Sequence, residues 1–126
     1  QVAATAARLD GADAEHAYAP GKWTVRQVVQ HLADAERIFA TRLLRIARGD
    51  TTPQPGFDEN AYADAAASDA RPLAEVVGEF RAVRASTLAL LGGLVAAAPL
   101  PLVRCQGFGV PAMITVRMLT HHLPAL

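Results

Sequence analysis

The feature that most constrains the fold is one long run of helical periodicity, over residues 25–48, with a marked start and a marked end. Apolar residues recur there at the spacing of one helix face: Val28, Val29, Leu32, Ala35, Ile38, Phe39, Leu43 and Ile46. Thr24 and Gln27 have the spacing of a capping box, and Gly49 is placed to end the helix. About 24 residues at 1.5 Å each predict a rod of roughly 36 Å, long enough to span a small bundle.

Further helices follow this one. After a proline-containing loop, residues 57–67 predict a short helix. Pro72 suits the first turn of another long helix, which we expect to stop at Gly92-Gly93. Strand alternation is almost missing from the sequence, so an all-α bundle is the expected fold class.

The two ends of the chain are less regular. Residues 1–9 are rich in alanine and fit the tail of a first helix, and Thr115 is placed to cap a last apolar segment. Between these, residues 95–113 contain prolines and glycines and have no helical period. At 126 residues we expect one domain, 1–126, and the start Gln1-Val2-Ala3-Ala4 predicts that its true N-terminus is missing.

Charge and cysteine content exclude several classes of function. Lys plus Arg and Asp plus Glu both total 12, and this balance gives no electrostatic case for nucleic-acid binding. No apolar run reaches the roughly 18 to 20 residues of a membrane span. The lone Cys105 allows no intrachain disulfide, and a cytoplasmic location is expected. One group of arginines is interpreted as a solvated helix face: Arg37, Arg42, Arg45 and Arg48.

His31 is the histidine most clearly placed on an apolar stripe, three residues after Val28 and four before Ala35. A neutral imidazole inside a bundle needs one donor and one acceptor partner, and a metal ion can satisfy one nitrogen. Spacing alone leaves two readings open, a hydrogen-bonded core or boundary histidine and a metal ligand. Glu36, about 140° around the helix from His31, is expected to be solvated, and His16 is expected to be exposed in a loop.

His121 and His122 lie in the last apolar segment and point about 100° apart on a helix. The inner face of that segment is formed by Val116, Leu119, Leu123 and Leu126. This face puts His122 at its edge and His121 nearly opposite. His122 is therefore the better candidate for a second ligand, and a boundary histidine is the alternative.

The sequence also resembles a known family. Residues 19–36, APGKWTVRQVVQHLADAE, are similar to the second-helix signature of the DinB/YfiT-like superfamily. The similarity continues in three further stretches: 47–53 (ARGDTTP), 55–62 (PGFDENAY) and 71–84. It covers residues 18–94 well and 114–126 more loosely.

The resemblance implies an antiparallel four-helix bundle, often dimeric, in which three histidines hold a divalent metal. His31 matches the ligand from the second helix. The other two form a His-x-x-x-His pair on the last helix, and here the first of that pair falls at about Leu126, which departs from the family pattern. The resemblance therefore implies either that part of the last helix is missing from this sequence or that the site is incomplete. His122, with His121 beside it, is a ligand only if the last helix is shifted in register or the site is rearranged. Zinc or nickel is the expected ion.

Family members of known activity are thiol transferases and a thiol-dependent isomerase. The resemblance therefore implies a metal-dependent hydrolase or thiol transferase that activates water or a low-molecular-weight thiol. The expected partners are a small-molecule substrate such as a thiol and a second copy of the chain, with no nucleic acid or membrane. The alternatives are a non-catalytic dimeric bundle with an incomplete or structural metal site, and a metal-binding protein of the stress response.

Overall fold

A computed structural model describes residues 13–94 of the chain, which are largely helical. Its elements are α1 (Val25–Ala47), α2 (Glu59–Ala65), a 3-10 turn (Ser68–Ala70) and α3 (Leu73–Leu94). The all-α class is thus confirmed for this part of the chain, and none of its helices is both long and apolar enough to cross a membrane. The helix expected at residues 1–9 and the segment from Thr115 lie outside the described residues.

The predicted boundaries of α1 are confirmed. Thr24 Oγ1 accepts a hydrogen bond from Gln27 N at 3.2 Å, and Gln27 Oε1 accepts one from Thr24 N at 2.9 Å, which completes the capping box. At the other end Gly49 has a φ of 81°, a left-handed conformation that glycine adopts without a side-chain clash. The helix therefore stops just before this glycine.

The short helix expected after the proline loop is present as α2. Asp58 caps it, because its Oδ1 accepts hydrogen bonds from Asn60 N at 3.0 Å and Ala61 N at 3.1 Å. The rings of Phe57 and Tyr62 lie 5.2 Å apart, so the first turn of α2 is fastened to the residue before its cap.

The third helix begins after Pro72 as predicted, but the expected stop at Gly92-Gly93 is wrong. α3 continues through both glycines to Leu94. Each glycine costs about 1 kcal/mol relative to alanine, a penalty that does not forbid the helical conformation. The last turn also packs on α1, where Leu91 and Leu94 contact a cluster around Leu43. This packing stabilises the turn that propensity alone disfavours.

The two long helices run in the same direction. Near the start of α1, Val29 packs against Val76 and Val77 of α3, and near its end Leu43 packs against Leu91. Residue numbers therefore increase in the same direction along both helices. The expectation of antiparallel packing is wrong for this pair.

The connection between the two long helices explains their direction. With 23 residues, α1 is about 35 Å long. A fully extended chain at about 3.4 Å per residue needs only about ten residues to return over that distance. Residues 48–72 exceed this length, so they return the chain to the start of α1 and still form α2 and the 3-10 turn. Short loops, which force neighbouring helices to be antiparallel, do not join α1 to α3.

Glu36 is buried, so the expectation that it is solvated is wrong. Its side chain is 4% exposed, and its Oε2 lies 2.7 Å from Arg84 Nη2 on α3. The guanidinium carbon of Arg84 lies 5.4 Å from the centre of the Phe80 ring. Glu36 faces α3 because it lies seven residues, or two turns, beyond Val29 on the packed side of α1.

Arg42 is also buried, which corrects the prediction of a solvated arginine face at this position. Its guanidinium carbon lies 5.3 Å from the Phe39 ring centre and 6.0 Å from that of Phe57, and its Nη2 donates to the carbonyl of Pro55. Arg42 thus holds the loop before α2 against α1. Arg48, in contrast, is exposed as expected.

Candidate metal-ligand site at His31

The loop before α1 is fastened to the first turn of the helix. Val25 N donates to the carbonyl of His16 at 2.9 Å, and Arg26 Nη2 lies 2.7 Å from Glu15 Oε1. His16 is exposed, as expected. These contacts hold the loop over the beginning of α1 and thereby fix the position of Trp23, the residue before the cap.

His31 lies two turns into α1, where Trp23 covers it. The two ring centres are 4.8 Å apart, and the ring planes are inclined by 47°. The imidazole is half-buried, and within residues 13–94 it has no hydrogen-bond partner. Residues 13–94 therefore do not supply the donor and the acceptor that a core histidine needs. A ring oriented by packing, with its nitrogens uncommitted to the residues around it, suits a metal ligand.

His31 and the α3 contact lie on different sides of α1. His31 is two residues beyond Val29, so it lies about 200° around the helix from the contact that Val29 makes with α3. Asp34 and Ile38, three and seven residues on, share its side. Both of these line a cavity against α2. The candidate ligand thus lies on the face of α1 that turns toward the connection.

The described residues provide a single member of the predicted ligand set. Within residues 13–94 no group of three His, Cys, Asp or Glu side chains is arranged to hold a metal ion. His121 and His122, the other predicted ligands, and Cys105 lie outside the described residues. His31 is thus the one predicted ligand that the described part of the chain contains.

A charged network beside this face was not predicted from the sequence. Glu79 accepts hydrogen bonds from Arg37 Nη1, from Arg71 Nη1 at 2.6 Å and from Gln30 Nε2 at 3.4 Å. The hydrogen bonds from Arg37 and Arg71 hold the pKa of Glu79 at about 2, so this carboxylate is ionised at neutral pH. Arg37 and Glu79 lie 42 residues apart, and only the register of α1 on α3 brings them together.

Residues 13–94 are those of an all-α protein in which two long helices pack in parallel and a histidine lies on the side of the first that faces away from the second. A comparison with protein families identifies it further: the family model described as the DinB superfamily matches residues 1–123. The match spans nearly the whole chain, so this protein belongs to the DinB superfamily, and the resemblance seen in the sequence is confirmed. No curated protein and no solved structure matches the chain.

Proposed function

We propose that this chain is a divalent-metal-binding member of the DinB superfamily, with His31 as one ligand and His122 or His121 completing the site. The observation that carries the proposal is the state of His31. It occupies the position that the resemblance assigns to a ligand, its ring is held by Trp23, and its nitrogens have no partner within residues 13–94. Membership of the superfamily supports the same assignment.

The chemistry proposed for the site is that of a metal-dependent hydrolase or thiol transferase. A bound zinc or nickel ion lowers the pKa of a water or thiol ligand and so supplies a nucleophile near neutral pH. Within residues 13–94, the ring of Trp23, 4.8 Å from that of His31, would help to orient the imidazole for the ion. The proposed substrate is a small molecule such as a thiol, and the proposed assembly is a homodimer.

Elemental analysis of the purified full-length protein, prepared without a histidine tag, tests the metal site. We expect about one divalent ion per chain in the wild type, as for a single closed ligand set. His31→Ala is expected to lose the ion, whereas His16→Ala, a matched exposed histidine, is expected to keep it. His121→Ala and His122→Ala then identify which neighbour completes the site. Circular dichroism of each variant verifies that it remains helical.

Absence of stoichiometric metal from the wild type contradicts the proposal. That result supports the alternative, a non-catalytic dimeric bundle in which His31 is a boundary residue. Metal that persists in His31→Ala contradicts the assignment of His31 and leaves the ion elsewhere in the chain.

A further inference from the structure

A cleft opens between α1 and α2 on the same side of α1 as His31. Its volume is about 400 Å³, which lies within the range of roughly 300–1,000 Å³ typical of small-molecule sites. The lining is mostly apolar with a few polar groups: Asp34, Arg37, Ile38, Tyr62, Ala65 and Ala66. An apolar cleft with a few converging polar groups is the arrangement by which proteins fix the orientation of a small ligand.

Arg37 is the accessible charge of the cleft, since its side chain is 51% exposed. Its Nη1 donates to Glu79 and lies 3.8 Å from Asp34 Oδ1, and within residues 13–94 these are its only carboxylate contacts. Within the same residues its Nε and Nη2 make no hydrogen bond, and we take them as the donors for a ligand. A guanidinium with two free N–H directions binds a carboxylate in a bidentate manner.

A cationic ligand is disfavoured because the nearby carboxylates, Glu79 and Asp34, already have hydrogen-bond partners. Glu79 is shared between Arg37 and Arg71, and Asp34 accepts a hydrogen bond from Gln30 Nε2 at 3.1 Å. The side chain of Asp34 is 23% exposed, less than half the exposure of Arg37. A cationic ligand would have to displace these partners, whereas an anionic ligand meets Arg37 donors that no residue of 13–94 uses.

Tyr62 supplies the aromatic wall of the cleft. The centre of its ring lies 5.2 Å from that of Phe57, with the planes inclined by 54°, so the phenol packs on Phe57. The residue is nevertheless 47% exposed, which leaves a large part of its surface for a ligand. A flat apolar body that packs between Tyr62 and Ile38 removes apolar surface of both side chains from water.

We propose that the α1–α2 cleft binds a small aryl carboxylate, with the carboxylate on Arg37 and the ring between Tyr62 and Ile38. Ile38 lies two turns beyond His31, about 10.5 Å along the helix axis. The role of this ligand as a substrate rests on the proposed function. Its binding does not depend on that function, since the residues that hold it are separate from the metal ligands.

Titration of the full chain with benzoate, followed by ligand-observed NMR, tests the proposal. Benzamide, the neutral isostere, and benzylamine, the cationic counterpart, are titrated in parallel. We expect benzoate to bind at least about tenfold more tightly than either, which corresponds to one charge-assisted contact of about 1.4 kcal/mol. Arg37→Gln is expected to remove this preference, and Arg48→Gln, an exposed arginine at the end of the same helix, to retain it.

A second variant guards against loss of folding in Arg37→Gln. Ala65→Phe fills the cleft and leaves every charge in place, so it is expected to abolish benzoate binding with an unchanged circular dichroism spectrum. Equal binding of the three probes, preference for benzylamine, or benzoate binding that survives Ala65→Phe overturns the proposal. His31→Ala separates the two proposals: benzoate binding that persists in a metal-free variant supports the cleft whatever the outcome for the metal.

Discussion

The two sides of α1 differ in what their side chains are bound to. On the side against α3, apolar residues such as Val29 and Leu43 are buried, and the charges are paired across the interface. On the side toward the connection, His31 is half-buried without a hydrogen-bond partner among residues 13–94. Arg37, at the edge between the two sides, pairs with Glu79 of α3 through Nη1, but its side chain is 51% exposed and lines the open cleft. One side of the helix therefore carries the packing of the described domain, and the other is the side on which we propose the ligand sites.

On the side packed against α3, substitution of a charged residue is expected to reduce stability strongly, because the charges there are removed from water. Glu36 Oε2 contacts Arg84, whereas Glu36 Oε1 and Arg84 Nε are buried without a partner in the described part of the chain. Two charges taken from water are tolerated only as long as each offsets the other. On the other side, residues 13–94 cover the side chains of His31 and Arg37 only partly, so we expect their loss to have a small effect on folding.

The largest effect is expected from Glu36→Ala. This change leaves the Arg84 guanidinium, whose side chain is only 16% exposed, without its counter-charge. We expect the free energy of unfolding to fall by about 4 kcal/mol, the range found when one partner of a buried pair is removed. Urea unfolding of the variant and the wild type at pH 7 measures the difference.

A double variant distinguishes the loss of a charge partner from the loss of packing. Glu36→Leu combined with Arg84→Met replaces the pair with apolar side chains of similar size, and we expect it to regain most of the lost stability. If Glu36→Ala costs less than about 1 kcal/mol, the pair behaves as a surface ion pair and the contrast between the two sides fails.

A smaller effect, with a pH signature, is expected from Glu79→Gln. The native pKa of Glu79, about 2, lies below its ordinary value of 4.5, so the ionised carboxylate stabilises the fold above about pH 5. This contribution is lost as the pH falls from 4.5 through 2. At pH 7 we expect Glu79→Gln to cost about 1.5 kcal/mol, as for hydrogen bonds to a charged group. The variant should also lose stability less steeply below pH 5.

Urea unfolding between pH 7 and pH 2.5 measures that slope, with Glu75→Gln, an exposed carboxylate on the same helix, as the control. Some slope persists in Glu79→Gln, because hydrogen bonds from Thr52 and Arg45 also lower the pKa of Asp50 to about 2. If the free energy of unfolding falls equally steeply with decreasing pH in the wild type and in Glu79→Gln, ionised Glu79 does not stabilise the fold as proposed.

The sequence predicted features whose determinants are close together in the chain. The capping box joins Thr24 and Gln27, three residues apart, and Gly49 ends α1 through its own backbone conformation. Features that depend on distant partners were predicted wrongly. Glu36 was correctly placed off the His31 face, but the prediction that it is solvated failed because α3 covers that other side with Arg84.

The candidate site likewise has a part that was predicted from local sequence and a part that depends on residues distant in the chain. His31 was identified from its place on an apolar stripe and from the resemblance, both of which are local to α1. The cleft was not foreseen, because it requires α2 to lie beside Arg37, and α2 is positioned by the connection rather than by any pattern in α1. The direction of α3 depends on the same connection, which explains why the parallel packing was missed.

The smallest effect on folding is expected from His31→Ala in metal-free protein, about 0.5 kcal/mol, since this variant removes only the packing of the imidazole ring on Trp23. Added zinc or nickel should then separate the two proteins. At a free ion concentration of about 100 times the Kd, the wild type gains about 2.7 kcal/mol and His31→Ala gains nothing. Thermal unfolding with and without the ion measures both quantities. If His31→Ala without metal costs as much as Glu36→Ala, the imidazole belongs to the packing of the domain, and both sides of α1 serve stability alone.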